Sequence, residues 1–164
     1  FYLTTAHYSE GKRTMDKVTH CVASVQCKAC RAFKFFTDAS QLESWLTAQA
    51  DVVPKVGGKF ELFWTPEERE NNSTLGCKIT AMRENQLLAF EWRSPAQYKH
   101  FANFADPLTH VVISFIPNGL NTVIHLVHFG WRSTPEWDEA RQWQERAWNV
   151  ALNSLQVLAS NDKT

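Results

Sequence analysis

From Ser133 to about Ala159 the chain runs with a single proline, at its third residue, and no glycine. Its apolar residues return at helical spacing: Trp137, Ala140, Trp143 or Gln144, Ala147, Trp148, Ala151, Leu152, Leu155, Leu158 and Ala159. Arg141, Glu145, Asn149, Asn153 and Gln156 fall largely on the opposite side, so the segment reads as an amphipathic helix with one stripe to bury. Ser133-x-x-Glu136 has the form of a capping box, and Pro135 falls in the first turn, where a missing N–H costs nothing. About 25 residues make a rod of roughly 37 Å, long enough to cross a whole sheet. Whatever precedes it must supply a surface for that stripe.

What precedes it reads mostly as strands. Lys17–Gln26 alternates and is β-branched, which predicts a first strand. Cys27–Phe36 shifts to helical spacing, and Thr37-Asp38-Ala39-Ser40 interrupts it. Ser40-x-x-Glu43 then predicts a capping box opening a second short helix through Leu42, Trp45 and Leu46. Strands are expected at Asp51–Pro54, Lys59–Thr65, Thr74–Arg83, Leu87–Arg93, Thr109–Ile116 and Thr122–Phe129, the last two forming a hairpin over Pro117-Asn118-Gly119-Leu120-Asn121, whose Asn-Gly is a turn signal. In Lys59–Thr65, Phe60, Leu62 and Trp64 share one face and Lys59, Glu61 and Phe63 the other. Ser94–Pro107 is too long for a tight turn, and its Tyr98, Phe101 and Phe104 suit a short helix or lid. Short connections between consecutive strands imply antiparallel pairing, and one helix must cover one face: an α+β layer arrangement. Residues 1–16 show no sustained period and read as an N-terminal appendage, with 17–164 as a single domain.

Composition excludes several classes. Lys+Arg and Asp+Glu balance at 17 each, so the basic footprint of a nucleic-acid binder is absent. No apolar run reaches the roughly 18–20 residues of a membrane span. Phe1–Thr5 carry no basic start leading into an apolar run, so no signal peptide is expected, although the missing initiator Met leaves an earlier removal open. Four cysteines in 164 residues do not make a disulfide framework, and a cytoplasmic setting is the simpler expectation. Seven Trp and 11 Phe are many rings for one core. They either fill it or line a cavity.

The order and spacing of several segments resemble the SRPBCC (START-like, Bet v 1-like) superfamily. Ala32-Phe33-Lys34-Phe35-Phe36-Thr37-Asp38 followed by Leu42-x-x-Trp45-Leu46 is similar to its opening; Val56-Gly57-Gly58-Lys59-Phe60-Glu61-Leu62 resembles its glycine-pair strand. Gly76-Cys77-Lys78-Ile79, Leu87–Trp92, the Thr109–Phe115 and Asn121–Gly130 hairpin, and Trp148 with Leu152 and Leu155 continue the likeness. It runs from about Val18 to Ala159, nearest to the branch of the Aha-type activator of the heat-shock chaperone ATPase. The resemblance implies a helix-grip fold: a curved antiparallel sheet of about six or seven strands wrapped around the long C-terminal helix, with two short helices after the first strand. It also implies a cavity between sheet and helix, but no one activity. The family's glycine before the last tryptophan is Ala147 here, and residues 1–16 have no counterpart.

Trp45, Phe60, Trp64, Phe90, Trp92, Trp143 and Trp148 are the candidate walls of such a cavity, as rings that supply apolar area and an N–H. The alternative is that they close-pack. His128 shares the parity of Ile124 and Leu126. It is either a core histidine bonded to backbone or to a neighbour such as Thr109, or a pocket group able to bind a ligand or move a proton near neutral pH. His125 has the opposite parity and is expected to face solvent, as are Glu61 and Glu91. Cys27-x-x-Cys30 at a helix start invites a redox reading, set against an ordinary half-buried first turn. No second half of a zinc site, no phosphate-cradling loop and no nucleophile motif accompanies it.

The reading favoured is non-covalent binding of a small apolar or aromatic ligand between sheet and helix, with no metal or cofactor. Two alternatives stand beside it. One is a chaperone ATPase-activator-like protein acting through its surface on a heat-shock chaperone. The other is a cyclase- or hydratase-type enzyme using His128.

Overall fold

A computed structural model of the chain describes residues 17–161. The expectation of an appendage at residues 1–16 lies outside them. The element order is β1 (Thr19–Val25), α1 (Ala29–Thr37), α2 (Ala39–Trp45), β2 (Gln49–Val52), β3 (Phe60–Phe63), β4 (Ile79–Arg83), β5 (Leu87–Trp92), α3 (Lys99–Ala102), β6 (Thr109–Asn118), β7 (Asn121–Phe129) and α4 (Pro135–Asn161). Among the described residues no helix is long and apolar enough to cross a membrane.

Period-two patterning builds the sheet as expected. In β1, Thr19, Cys21, Ala23 and Val25 are buried while His20, Val22 and Ser24 are exposed; Val111, Ile113 and Phe115 of β6 and Ile124, Leu126 and His128 of β7 face the same core. Five strands pair antiparallel in the order β1-β7-β6-β5-β4, and β2-β3 form a separate ladder. That ladder is tied on: the Phe60 N–H donates to the Cys77 carbonyl at 2.9 Å and the Ile79 N–H to Gly58 at 2.9 Å. Among the described residues the strands therefore divide five and two. The β6–β7 turn is tighter than the five-residue loop the sequence suggested. Asn118 pairs with Asn121, so the loop is Gly119-Leu120, with Gly119 at φ 64° supplying the positive φ that a II′ turn requires at its first central position.

Three local expectations need correction. The second short helix is capped by Asp38, whose carboxylate accepts the Ser40 N–H at 3.0 Å, not by a Ser40–Glu43 box. The long helix is capped one residue later than the pattern suggested: the Thr134 hydroxyl accepts the Trp137 N–H at 3.2 Å, and Pro135 is the first helical residue. Strand β3 is buried on both faces, and the Ser73–Cys77 segment runs along its second edge, the Thr74 N–H donating to the Leu62 carbonyl at 2.9 Å. Glu61 is thus 7% exposed, and its carboxylate accepts the Gly76 N–H at 2.6 Å. Glu91 is half-buried and accepts the Lys78 N–H at 3.1 Å.

Helix α4 spans 27 residues, about 40 Å. Its buried stripe is Trp137, Ala140, Gln144, Trp148, Leu152, Leu155 and Ala159, and from Trp148 onward it packs into the main core with Phe60, Phe90, Trp92 and the β6–β7 residues. The helix N-terminal end sits in a second cluster, with Trp137 and Ala140 against Tyr98, Ala102 and Trp131. Phe101 packs on that cluster, whereas Phe104, the third aromatic of the loop, is 83% exposed. The space directly between sheet and helix is packed: the Phe60 and Phe90 rings stack at 3.9 Å and the Trp92 and Trp148 rings lie 4.8 Å apart.

Candidate functional site

The open volume lies to one side of that packing. Residues next to the buried stripe on α4, namely Trp143, Arg146, Ala147, Val150, Ala151 and Ser154, form a second stripe at helical spacing that lines a cleft of about 610 Å³. The facing wall comes from the end of α2 (Trp45, Leu46), from Trp64 just past β3, and from Trp92 and Arg93 at the end of β5. Asn72 and Ser73, with Pro95 and Gln97, close the rim. Such a volume lies within the range of roughly 300–1,000 Å³ usual for small-molecule sites.

Five of the seven tryptophans meet there. Four have their indole N–H occupied by the protein. Trp45 donates to the Phe35 carbonyl at 2.9 Å and Trp64 to the Leu46 carbonyl at 2.8 Å. Trp92 donates to Gln144 Oε1 at 3.2 Å and Trp148 to His128 Nδ1 at 3.1 Å. These bonds fix ring orientation, so the rings offer faces and edges more than polar handles. Trp64 stands edge-on to Trp92 at 5.8 Å and, at 39% exposure, is the most open of the lining rings.

Of the residues singled out from sequence, Trp45, Trp64, Trp92, Trp143 and Trp148 line the cleft, while Phe60, Phe90 and His128 do not. The two phenylalanines point to the same concave side but stack on each other in the packed core. His128 has no exposed surface. An indole N–H can only donate, so Nδ1, bonded to Trp148, is the acceptor and Nε2 carries the proton. Nε2 bonds the Thr109 hydroxyl at 3.0 Å. Burial, helped by the nearby His110, pushes its pKa down to about 3, so the ring is neutral with both nitrogens engaged. This is the core-histidine alternative, with Thr109 the partner named from sequence. His125 is half-buried rather than free in solvent, its ring stacked on His20 at 5.3 Å.

Sequence reasoning missed the polar part of the cleft. Arg93 follows Trp92 directly, and its Nε is buried without a hydrogen-bond partner. The Cys77 thiol, pushed up to about 12 chiefly by burial, is neutral; it hydrogen-bonds the Arg93 side chain without supplying a counter-charge. Gln144 also escaped, because the helical pattern allowed either it or Trp143 as the buried residue. Both serve: Gln144 buries under Trp92, and Trp143 turns to the cleft. No sequence signal flagged Arg93, which has the parity of Glu91 and not that of Leu88, Phe90 and Trp92.

The cysteine pair offers less. Cys27 and Cys30 are free thiols, and burial raises the Cys27 pKa, the opposite of what a reactive thiolate needs. No cluster among the described residues could hold a metal ion.

Comparison with known proteins bears on the whole domain. Residues 26–160 match the profile of the family described as Activator of Hsp90 ATPase homolog 1-like protein. No curated protein matches the sequence. Among solved structures, a protein from Mesorhizobium loti superposes with a TM-score of 0.72 at 18% identity, covering 90% of this chain and 100% of its own. An Hsp90 activator from Plasmodium falciparum gives 0.65 at 20% identity, over 86% of this chain and 94% of its own. The Aha1 dimer from Colwellia psychrerythraea gives 0.67 at 14% identity, over 90% and 99%. At these identities the likeness is one of fold, the helix-grip arrangement described above.

Proposed function

The chain belongs to the Activator of Hsp90 ATPase homolog 1-like family, and from that premise we propose that it binds a small apolar or aromatic molecule non-covalently in the cleft beside α4. The observation that carries this reading is the convergence of five tryptophans, from four separate parts of the chain, on one open cleft of about 610 Å³. A core needs rings that close on one another. Trp92 and Trp148 do so, at 3% and 1% exposure, but Trp45, Trp64 and Trp143 keep surface open, and uncovered aromatic surface is retained at a cost unless something uses it. The neutral, fully engaged His128 supports binding over proton transfer, since no histidine, carboxylate, cysteine, lysine or tyrosine lines the cleft.

Titration with the neutral dye N-phenyl-1-naphthylamine tests the reading. Dye fluorescence should rise saturably with wild-type protein, and Trp64→Ala or Trp143→Ala should weaken binding by up to about tenfold, from aromatic contacts of roughly 0.5–1.5 kcal/mol each. Equal affinity in wild type and both variants would set the cleft aside.

A second reading follows from the family itself and from the Hsp90 activator of Plasmodium falciparum: action on a heat-shock chaperone through the protein surface. The outer face of the sheet, with Val22 52%, Ile116 48% and Phe129 40% exposed, is the apolar surface available for it. Measuring Hsp90 ATP turnover with added protein decides this: an unchanged rate across a saturating range rejects it.

A further inference from the structure

Resting on the cleft as a binding site, we infer that its ligand is an aromatic or polycyclic anion, a flat apolar body carrying one carboxylate-, sulfonate- or phosphate-type group that the Arg93 and Arg146 guanidiniums receive. Three observations carry this. The residues that line the cleft include two arginines and not one aspartate or glutamate, in a chain whose opposite charges otherwise balance at 17 each. Among the described residues neither arginine is in an ion pair, although the same helix pairs Arg141 with both Asp138 and Glu145. And the Arg93 Nε is buried without a partner, a state that costs free energy while it lasts and that an incoming anion would relieve.

Both arginines line the same cleft as Trp92 and Trp148, whose rings lie 4.8 Å apart, so a strand end and a helix flank each contribute one cation beside the apolar wall. The rings take the body of the ligand, and the planar forks of the arginines match the two oxygens of its head group. The other polar groups of the rim are largely spoken for: Asn72 Oδ1 accepts the Ala96 N–H at 2.9 Å and Ser154 donates to the Val150 carbonyl at 3.2 Å. The discriminating interaction is therefore with charge.

A matched pair of dyes separates this from the parent reading. 1-Anilinonaphthalene-8-sulfonate shares the ring system of N-phenyl-1-naphthylamine and adds one sulfonate. The expected result is that the anionic dye binds wild type about tenfold more tightly, the change that one charge-assisted hydrogen bond makes, and that each dye displaces the other. Arg93→Gln and Arg146→Gln should each reduce that preference several-fold, read as the ratio of the two dye affinities within each variant, while Arg83→Gln, at an exposed site on β4, preserves it. Arg146 is exposed, so its variant keeps the test decisive if Arg93→Gln impairs folding. Equal affinity for the two dyes, or a preference that survives in Arg146→Gln, overturns the inference and leaves the cleft reading standing. Failure of both dyes to bind overturns both.

Discussion

Lowering the pH from 7 to 5 should destabilise the fold through His128, by an amount that follows from its environment. In the folded chain the ring is buried, accepts from Trp148 and has its pKa depressed to about 3, so it stays neutral throughout this range. In the unfolded chain it titrates near 6.5. The unfolded state therefore takes up the proton first, and stability falls as pH drops below about 6.5 and continues to fall toward about 3. Between pH 7 and 5 the unfolded histidine gains about 1.4 pH units' worth of protonation free energy, or about 2 kcal/mol. His110, also lowered by burial, contributes with the same sign, so the term belonging to His128 must be isolated by difference. His128→Gln keeps a group that can accept from Trp148 and donate to Thr109 but does not titrate. Urea unfolding followed by tryptophan fluorescence at both pH values should show wild type losing about 2 kcal/mol more than the variant. Equal losses would mean that the folded histidine titrates normally, and the neutral, buried tautomer would be wrong.

The cap assignment at α4 predicts that Thr134→Ala lowers stability by about 1 kcal/mol while Ser133→Ala changes it little; urea midpoints at equal slope read the difference, and the reverse order would restore the Ser133 box. At the turn between β2 and β3, a Cβ on Gly58 would lie 2.1 Å from the Val53 carbonyl oxygen and 2.9 Å from that of Lys55, both backbone atoms with little room to yield. Gly58→Ala should therefore cost about 1–3 kcal/mol. Gly57 tests whether sterics or backbone freedom matters more there: it has open space but φ 81°, so Gly57→Ala should cost about 1–2 kcal/mol from the left-handed conformation alone. Thermal melts that rank Gly57→Ala below Gly58→Ala would contradict the close-approach argument.

The fold was largely legible because its signals are periodic. The α4 stripe, the inward residues of β6 and β7 and the Asn118-Gly119 turn each repeat or punctuate at a spacing that only one local structure satisfies. What failed to show was whatever depends on a distant segment. Glu61 alternates like a solvent-facing residue, and nothing in β3 reveals that the Ser73–Cys77 segment pairs along its edge and brings the Gly76 N–H to the Glu61 carboxylate. The caps Asp38 and Thr134 were each displaced by one or two residues from the predicted position, since several adjacent hydroxyls and carboxylates could serve. The cleft was legible only in part. Tryptophans announce a place that needs large rings, but which stripe of a helix faces a packed core and which an open flank depends on the drift of the whole rod against the sheet. Phe60 shares the parity of Trp64 and Phe90 that of Trp92, yet both fall on the filled side, as does His128 on the inward face of β7.

The most direct test of the account follows the seven indole N–H signals by nuclear magnetic resonance while N-phenyl-1-naphthylamine is added. Trp45, Trp64, Trp92, Trp143 and Trp148 line the cleft, while Trp131 and Trp137 sit in the separate cluster near α3 and serve as internal references. Saturable shifts at Trp64 and Trp143, with Trp131 and Trp137 unmoved, are the predicted result. Shifts led by Trp131 and Trp137, or none anywhere at saturating dye, would contradict it.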